Sequence, residues 1–214
     1  MASARGRNPP NLGSNPSRSI SCKIQVMKEY AAIGTRDLYS EQSMLCYRVG
    51  KLMAQHGWIL HTGAAQGADQ TYALGALRAG GRVMLHLPWD TYERHWVAEV
   101  RAHYPGKVRS QSVEESPQYT KAEGSVLTFH PAADRLKRGA LLLHARNYNI
   151  ISPYLDNPVR FVVALPSSRG GGTMQGIRVA KALHVPVIRA DKLPPPEIKK
   201  RLDQILTQPK EGPL

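Results

Sequence analysis

Acidic residues are scarce in this chain. Its 214 residues hold 16 Asp and Glu against 29 Lys and Arg, a formal net charge of +13. The first 28 residues carry no acid, and between Arg135 and Ala190 the only one is Asp156, against nine Lys and Arg. Such a field disfavours cationic partners and favours polyanions, nucleic acid first among them. A solvated basic surface kept for solubility is the plainer reading; the gathering of charge around the turns described below favours the polyanion. Cysteine is scarce too. Cys22 and Cys46 lie in no Cys-x-x-Cys or Cys/His cluster, so neither a disulfide framework nor a zinc module is expected, and a reduced intracellular chain is. No apolar run reaches bilayer-spanning length, and no repeat or coiled coil is visible.

Hydrophobic residues make up 42% of the chain, enough for one domain with a real core. Three stretches are expected: a basic arm over 1–25, a globular region over 26–192, and a C-terminal helix and tail over 193–214. The arm, MASARGRNPPNLGSNPSRS, lacks the apolar stretch of a secretory signal. Its Arg- and Ser-bearing, acid-free composition leaves a transit peptide open; a cytoplasmic protein is the expectation.

Apolar spacing predicts a strand near 29–33 and then a helix with Met44, Leu45, Val49, Leu52 and Met53 on one face, Ser40 as N-cap and Gly57 as stop. WILHTG reads as a second strand, AQGADQTYALGALRAGG as a second helix ended by Gly80-Gly81, and RVMLHLPW as a third strand. Helical pieces follow within 90–106 and 116–130, the latter broken by Pro131, and another over 133–148. VRFVVALP, GGGTMQGIRVAKALHV and PVIRA give strand, helix and strand. The last helix enters through prolines with Ile198, Leu202, Ile205 and Leu206 on one face. This alternation predicts an α/β fold: a Rossmann-like, doubly wound, mostly parallel sheet with flanking helices, in a single domain. Short runs with little alternation fit strands covered on both faces.

Three turns follow strands and precede helices: GTRD at 34–37, TGAAQGAD at 62–69 and SSRGGGT at 167–173. In a doubly wound sheet all three emerge at the carboxyl edge, where ligands bind. A helix N-terminus presents unpaired N–H groups and partial positive charge, and glycine lets backbone approach an anion. The candidate phosphate-binding residues are Gly34, Thr35, Arg36, Thr62, Gly63, Gln66, Gly67, Asp69, Arg146, Asn147, Arg169, Gly170, Gly171, Gly172 and Thr173. Arginine adds a bidentate fork. Each turn alone is more often a tight connection, and none matches GxGxxG or GxxxxGK[ST]. Asp69 suits a helix N-terminus structurally, with a ribose or base edge as the alternative partner. Arg146 and Asn147 read as ending a helix, where a cation caps favourably. His144 reads as a packed or surface histidine, with Asp134 or Asp156 its only acidic partners in reach of the pattern.

The motifs GTRDLYSEQ, GWILHTGAAQGADQTYALGALRAGGRVMLHLPWDTYERH, ARNYNII, RFVVALP and GGGTMQGIRVAKALHVPVI, in that order, resemble the core of DprA, the DNA-processing protein of natural transformation, and the wider SLOG superfamily. The resemblance covers about 29–190. FHPAADRLKRGALLLHARNYNII resembles short, stand-alone DprA-like proteins of bacteria and their phages. It implies a parallel sheet whose basic carboxyl edge binds single-stranded DNA, in a protein that helps load a recombinase. Gly34 and Arg36 match the family's Gly-Ser-Arg turn, with Thr35 for Ser. Gly63, Gly67 and Asp69 match its second turn, with Thr62 for Ser and Ala68 for Ile. Arg146 and Asn147 match the start of Arg-Asn-Arg, with Tyr148 in place of the second Arg, and Gly172 and Thr173 match Ser-Gly-Ser. The family's N-terminal helical domain and winged-helix extension are not expected, so recombinase loading is not carried over. The LOG phosphoribohydrolases of the same superfamily use a Glu after PGGxGT; here Gly176 takes that place, and Gln175 is no base, so nucleotide hydrolysis is not expected.

Non-catalytic binding of single-stranded nucleic acid is the leading expectation, with Tyr148 or Trp89 as candidate stacking platforms and the arm adding salt-sensitive affinity. A pocket for a free nucleotide or nucleotide-derived signal is the alternative, and a ligand-free interaction module a third. The partners implied are single-stranded DNA or RNA, or a nucleotide, with a recombinase, an assembly partner or a second copy of the chain beside it. No cofactor, metal site or enzyme is expected: the sequence shows no Ser/His/Asp arrangement or paired carboxylates, and His130 and His144, across a proline break, make poor ligand spacing.

Overall fold

Short apolar runs without alternation become strands when both faces are covered. The computed structural model, which describes residues 28–155, 157–168 and 171–207, forms six: β1 (Glu29–Gly34), β2 (Ile59–Thr62), β3 (Arg82–Leu87), β4 (Val108–Ser112), β5 (Val162–Leu165) and β6 (Val187–Arg189). All pair in parallel, in the order β4-β3-β2-β1-β5-β6. The sheet grows one way from β1 through β2 and the other through β5. The loops after β1 and β5 therefore part at the carboxyl edge and leave a crevice.

Helices α1 (Ser40–Gln55), α2 (Ala68–Arg78), α3 (Arg94–His103) and α7 (Pro195–Thr207) share one core with the sheet, holding Tyr30, Met53, Tyr72, Val97 and Leu202. Helices α4 (Tyr119–Phe129), α5 (Arg138–Ile151) and α6 (Gly172–Ala182) share the other, with Ile33, Val126, Ile150 and Ile177. Tyr30 stacks on Phe161 at 5.5 Å, and Trp58 meets both edge-on, each pair worth about 0.5–1.5 kcal/mol beyond its buried area. Ile198 and Leu202 of α7 are buried there, with Ile205 and Leu206 packed beside them. Burial pushes the Cys46 thiol up to about 12, so it is a packing residue.

A polar chain runs across the second face from exposed Tyr154 to buried Glu29, His61 and His86. The Tyr154 hydroxyl donates to Glu29 Oε1 at 3.0 Å, His61 Nε2 lies 3.5 Å from Glu29 Oε2, and His61 Nδ1 is 3.0 Å from His86 Nε2. Burial drives His86 well below its ordinary pKa, helped by His61 and Arg146.

Several expectations need correction. Strand β4 had no apolar pattern to announce it: VRSQS is an edge strand whose middle faces water. Tyr39, not Ser40, caps α1, with its N–H accepted by Gln42 Oε1 at 3.1 Å. The helix expected over 133–148 is a 3₁₀ turn, Ala133–Arg135, then a break, then α5. Arg138 fixes the new start through Glu114, Glu123 and the Tyr119 hydroxyl. The basic arm, Cys22, Asp156, Arg169, Gly170 and the tail beyond Thr207 lie outside the described residues. Among the described residues, no helix is long and apolar enough to cross a membrane.

Candidate functional site

The crevice between the β1 and β5 loops is a cavity of about 300 Å³. Gly34, Thr35, Arg36 and Asp37 line it from the β1 loop, Asp69 from α2, and His144, Arg146 and Asn147 from α5. Ser167 lines it after β5, and Gly172 and Thr173 at the start of α6. Four segments far apart in sequence thus meet where β1 and β5 are neighbours and their loops diverge.

Arg146 is the floor. Helix α5 extends past it to Ile151, so this cation does not cap a helix end; it is buried, with 9% of its side chain exposed. Its Nη1 lies 3.7 Å from Asp69 Oδ2, beyond hydrogen-bond reach. Its Nε and Nη1 have no hydrogen-bond partner, and an unpaired buried donor costs about 1–3 kcal/mol, more on a charged group. Burial pushes the Asp69 carboxyl up; Arg146, then the backbone N–H groups of Gly34 and Ala65, pull it back. Asn147 ties the wall together: its Nδ2 donates to Gly172 O at 2.8 Å, and its Oδ1 is 3.5 Å from Arg146 Nη2. At the rim, exposed Arg36 donates from Nη2 to the Tyr92 hydroxyl at 3.1 Å. Thr35 Oγ1 accepts the Asp37 N–H.

The 62–69 turn turns its polar groups inward. Thr62 is buried and donates to Ala32 O at 2.6 Å, Ala68 N–H goes to Thr35 O, and Gln70 N–H to Ala65 O. Gly67 has φ 91°, and a methyl group there would strike the Arg36 backbone. At Gly63 it would strike Asp69 and Arg146. Thr62, Gly63, Gln66 and Gly67 thus do not line the cavity; Gln66 is exposed elsewhere and the others pack the turn. Of this turn, Ala65 and Asp69 reach the site.

Tyr148 is also corrected: it is 8% exposed and belongs to the second core, so it presents no face for stacking. Trp89 packs against both cores, edge-on to Tyr92. His144 is not paired with Asp134, and Asp156 lies outside the described residues. The neighbour of His144 is His130, with ring centroids 4.4 Å apart, closer than their spacing suggested. Burial, His130 and the nearby Arg146 and Arg178 hold the His144 pKa down at about 4. Among the described residues, no group of three or more His, Cys, Asp and Glu could hold a metal ion. Gly176 packs under the Ile33 side-chain tip, which would have to shift to admit a methyl group there. Sequence reasoning gave Tyr92 no role and took His144 for a packed or surface histidine; the fold sets His144 on the cavity wall and Tyr92 against Arg36 at its rim.

Fold and crevice define the class: a Rossmann-like α/β domain with its candidate site at the switch point. Residues 27–102 match the model of the SLOG cluster4 family. Over that stretch the chain is similar to the SLOG family, and its fold is that of DprA. DNA processing protein A of Helicobacter pylori, described by its single-stranded DNA binding mode, aligns with a TM-score of 0.51 and 16% identity over 85% of this chain and 75% of that one. DprA of Streptococcus pneumoniae aligns at 0.50 and 16% identity, over 84% of this chain and 56% of that one. The molybdenum cofactor carrier protein of Chlamydomonas reinhardtii aligns at 0.46 and 20% identity, over 84% of each chain. No curated protein matches the sequence.

Proposed function

We propose that this chain binds single-stranded nucleic acid, seating one phosphate in the crevice between β1 and β5, and that it does so without catalysing a reaction. One observation carries the reading: Arg146 is nine-tenths buried at the cavity floor with Nε and Nη1 unpartnered. A phosphate oxygen would complete those donors, the first turn of α6 would favour its charge, and Arg36 would close over it from the rim. The excess of basic residues supports a polymer over a small anion. Likeness in fold to a protein described as binding single-stranded DNA supports the same substrate class. The second reading, a free nucleotide in the same pocket, is favoured by the cavity's size: about 300 Å³ takes one nucleotide, not several.

The test is fluorescence anisotropy of a labelled oligothymidylate across a salt series. Two variants are compared with wild type: Arg36→Ala, and Arg146→Gln combined with Asp69→Asn so that no carboxylate is left buried alone. The expected outcome is tight binding with a steep salt slope, weakened about tenfold or more by the double substitution. Competition by adenosine monophosphate at low concentration selects the free-nucleotide reading. Equal binding by wild type and both variants would falsify the crevice as the site.

A further inference from the structure

Residues 88–93 follow β3 and belong to none of the three glycine-bearing turns, yet they deliver a side chain between the two arginines of the crevice. Tyr92 is 9% exposed. Its N–H donates to Trp89 O at 3.1 Å, and its ring sits edge-on to Trp89 at 5.3 Å. The next residue, Glu93, adopts the left-handed conformation at φ 50° and ψ 33°, costly for a residue with a Cβ. From this anchored turn the Tyr92 hydroxyl accepts the Arg36 Nη2–H at 3.1 Å, while its ring faces the Arg146 guanidinium 6.0 Å away. One side chain thus touches both arginines, Arg36 through its hydroxyl and Arg146 through its ring.

We infer that Tyr92 is a positioning residue that sets the spacing of Arg36 and Arg146, so that one phosphate draws on both cations at once. The inference rests on the crevice being a phosphate site. Without the hydroxyl, an exposed arginine samples many rotamers and must be ordered on binding. Without the ring, Arg146 loses the face it lies against. Pre-organisation is thus assigned to a side chain that does not itself line the cavity.

The test is a double-mutant cycle of Tyr92→Phe and Arg36→Ala, read by binding of the labelled oligothymidylate and by thermal unfolding. Tyr92→Phe keeps the ring, so its melting temperature is expected to stay near wild type while affinity falls about three- to tenfold. In the Arg36→Ala background the same substitution is expected to change affinity less than twofold, because the partner of the hydroxyl is gone. Additive losses, or wild-type affinity in Tyr92→Phe, overturn the inference. Should wild type bind neither the oligonucleotide nor adenosine monophosphate, the phosphate reading fails by itself. Tyr92 is then judged by NMR of the ligand-free protein: guanidinium rotation of Arg36 speeds up in Tyr92→Phe if the hydroxyl holds it, and an unchanged rate sinks the claim.

Discussion

The turn at 62–69 and the turn opening α6 look alike in sequence: glycines after a strand and before a helix. In three dimensions they do opposite work. The first spends its hydrogen-bonding groups on its own neighbours: Thr62 on Ala32, Ala68 on Thr35, Gln70 Nε2 on Ala64 O at 3.0 Å. The second leaves Gly172 and Thr173 on the cavity wall, braced from outside by Asn147. A glycine-rich turn is therefore a site or a clasp according to what the neighbouring loop supplies. Here the β1 loop lies against the first turn and stands apart from the second.

Alanine substitutions break this comparison most directly. Gly67→Ala places a methyl group against the Arg36 backbone, in a conformation with φ 91°, and is expected to cost about 3 kcal/mol. Gly172→Ala meets only Asn147 Nδ2 at 3.6 Å, an ordinary contact at negative φ, and is expected to stay within about 0.5 kcal/mol of wild type. Denaturant unfolding of both variants checks the contrast, and equal losses would mean the two turns are not distinct.

Asp69 sits where the clasp meets the open cavity, so its removal sharpens the contrast between folding and binding. Asp69→Asn leaves Arg146 without its carboxylate neighbour at 3.7 Å but also removes a charge that burial disfavours, so stability is expected to change by no more than about 1 kcal/mol. It also frees the cation for an external anion, so oligonucleotide affinity is expected to rise severalfold. Weaker binding together with weaker folding would show that Asp69 supports the site rather than competing for it.

The parallel sheet and its carboxyl-edge loops were legible because buried strands and crossover helices write their periods into the apolar residues. Gly34, Arg36, Gly172 and Thr173 were singled out from turn chemistry and Arg146 from the resemblance, and the fold brings them to one cavity. What was not legible depends on tertiary packing. Thr62 ends a buried strand, so its hydroxyl turns to the backbone beside it. Tyr148 lies on the core face of α5 because that helix continues to Ile151 rather than stopping near 148. His144 reaches the cavity wall and Tyr92 the Arg36 side chain only because α5 and the turn after β3 deliver them there, and β4 lacked a pattern because half of an edge strand's surroundings are water.

The open wall also carries the smallest effect. His144 has its pKa held at about 4, below an ordinary value of 6.5, first by burial and then by His130, Arg146 and Arg178. Across the same cavity stand Arg36 and Asp37 on the β1 loop and Asp69 on α2. The unfolded chain takes up this proton at higher pH than the native one, so stability falls as pH drops from about 6.5 toward 4 and the slope from this group ends below that. His86 acts in the same direction, as does Glu29: burial pushes its carboxyl up, but His61, Tyr154 and Arg82 outweigh that and leave it low. Asp69, its carboxyl raised, opposes them at the acid end. His144→Gln is therefore expected to lessen the loss of stability between pH 7 and pH 5, by no more than about 1 kcal/mol after solvent screening. Urea titrations at the two pH values read the difference. A phosphate in the cavity would place negative charge beside this ring and raise its pKa, so saturating adenosine monophosphate is expected to shrink the wild-type loss toward that of His144→Gln. An undiminished loss in the presence of bound nucleotide would put the anion somewhere other than the wall that α5 and α6 share.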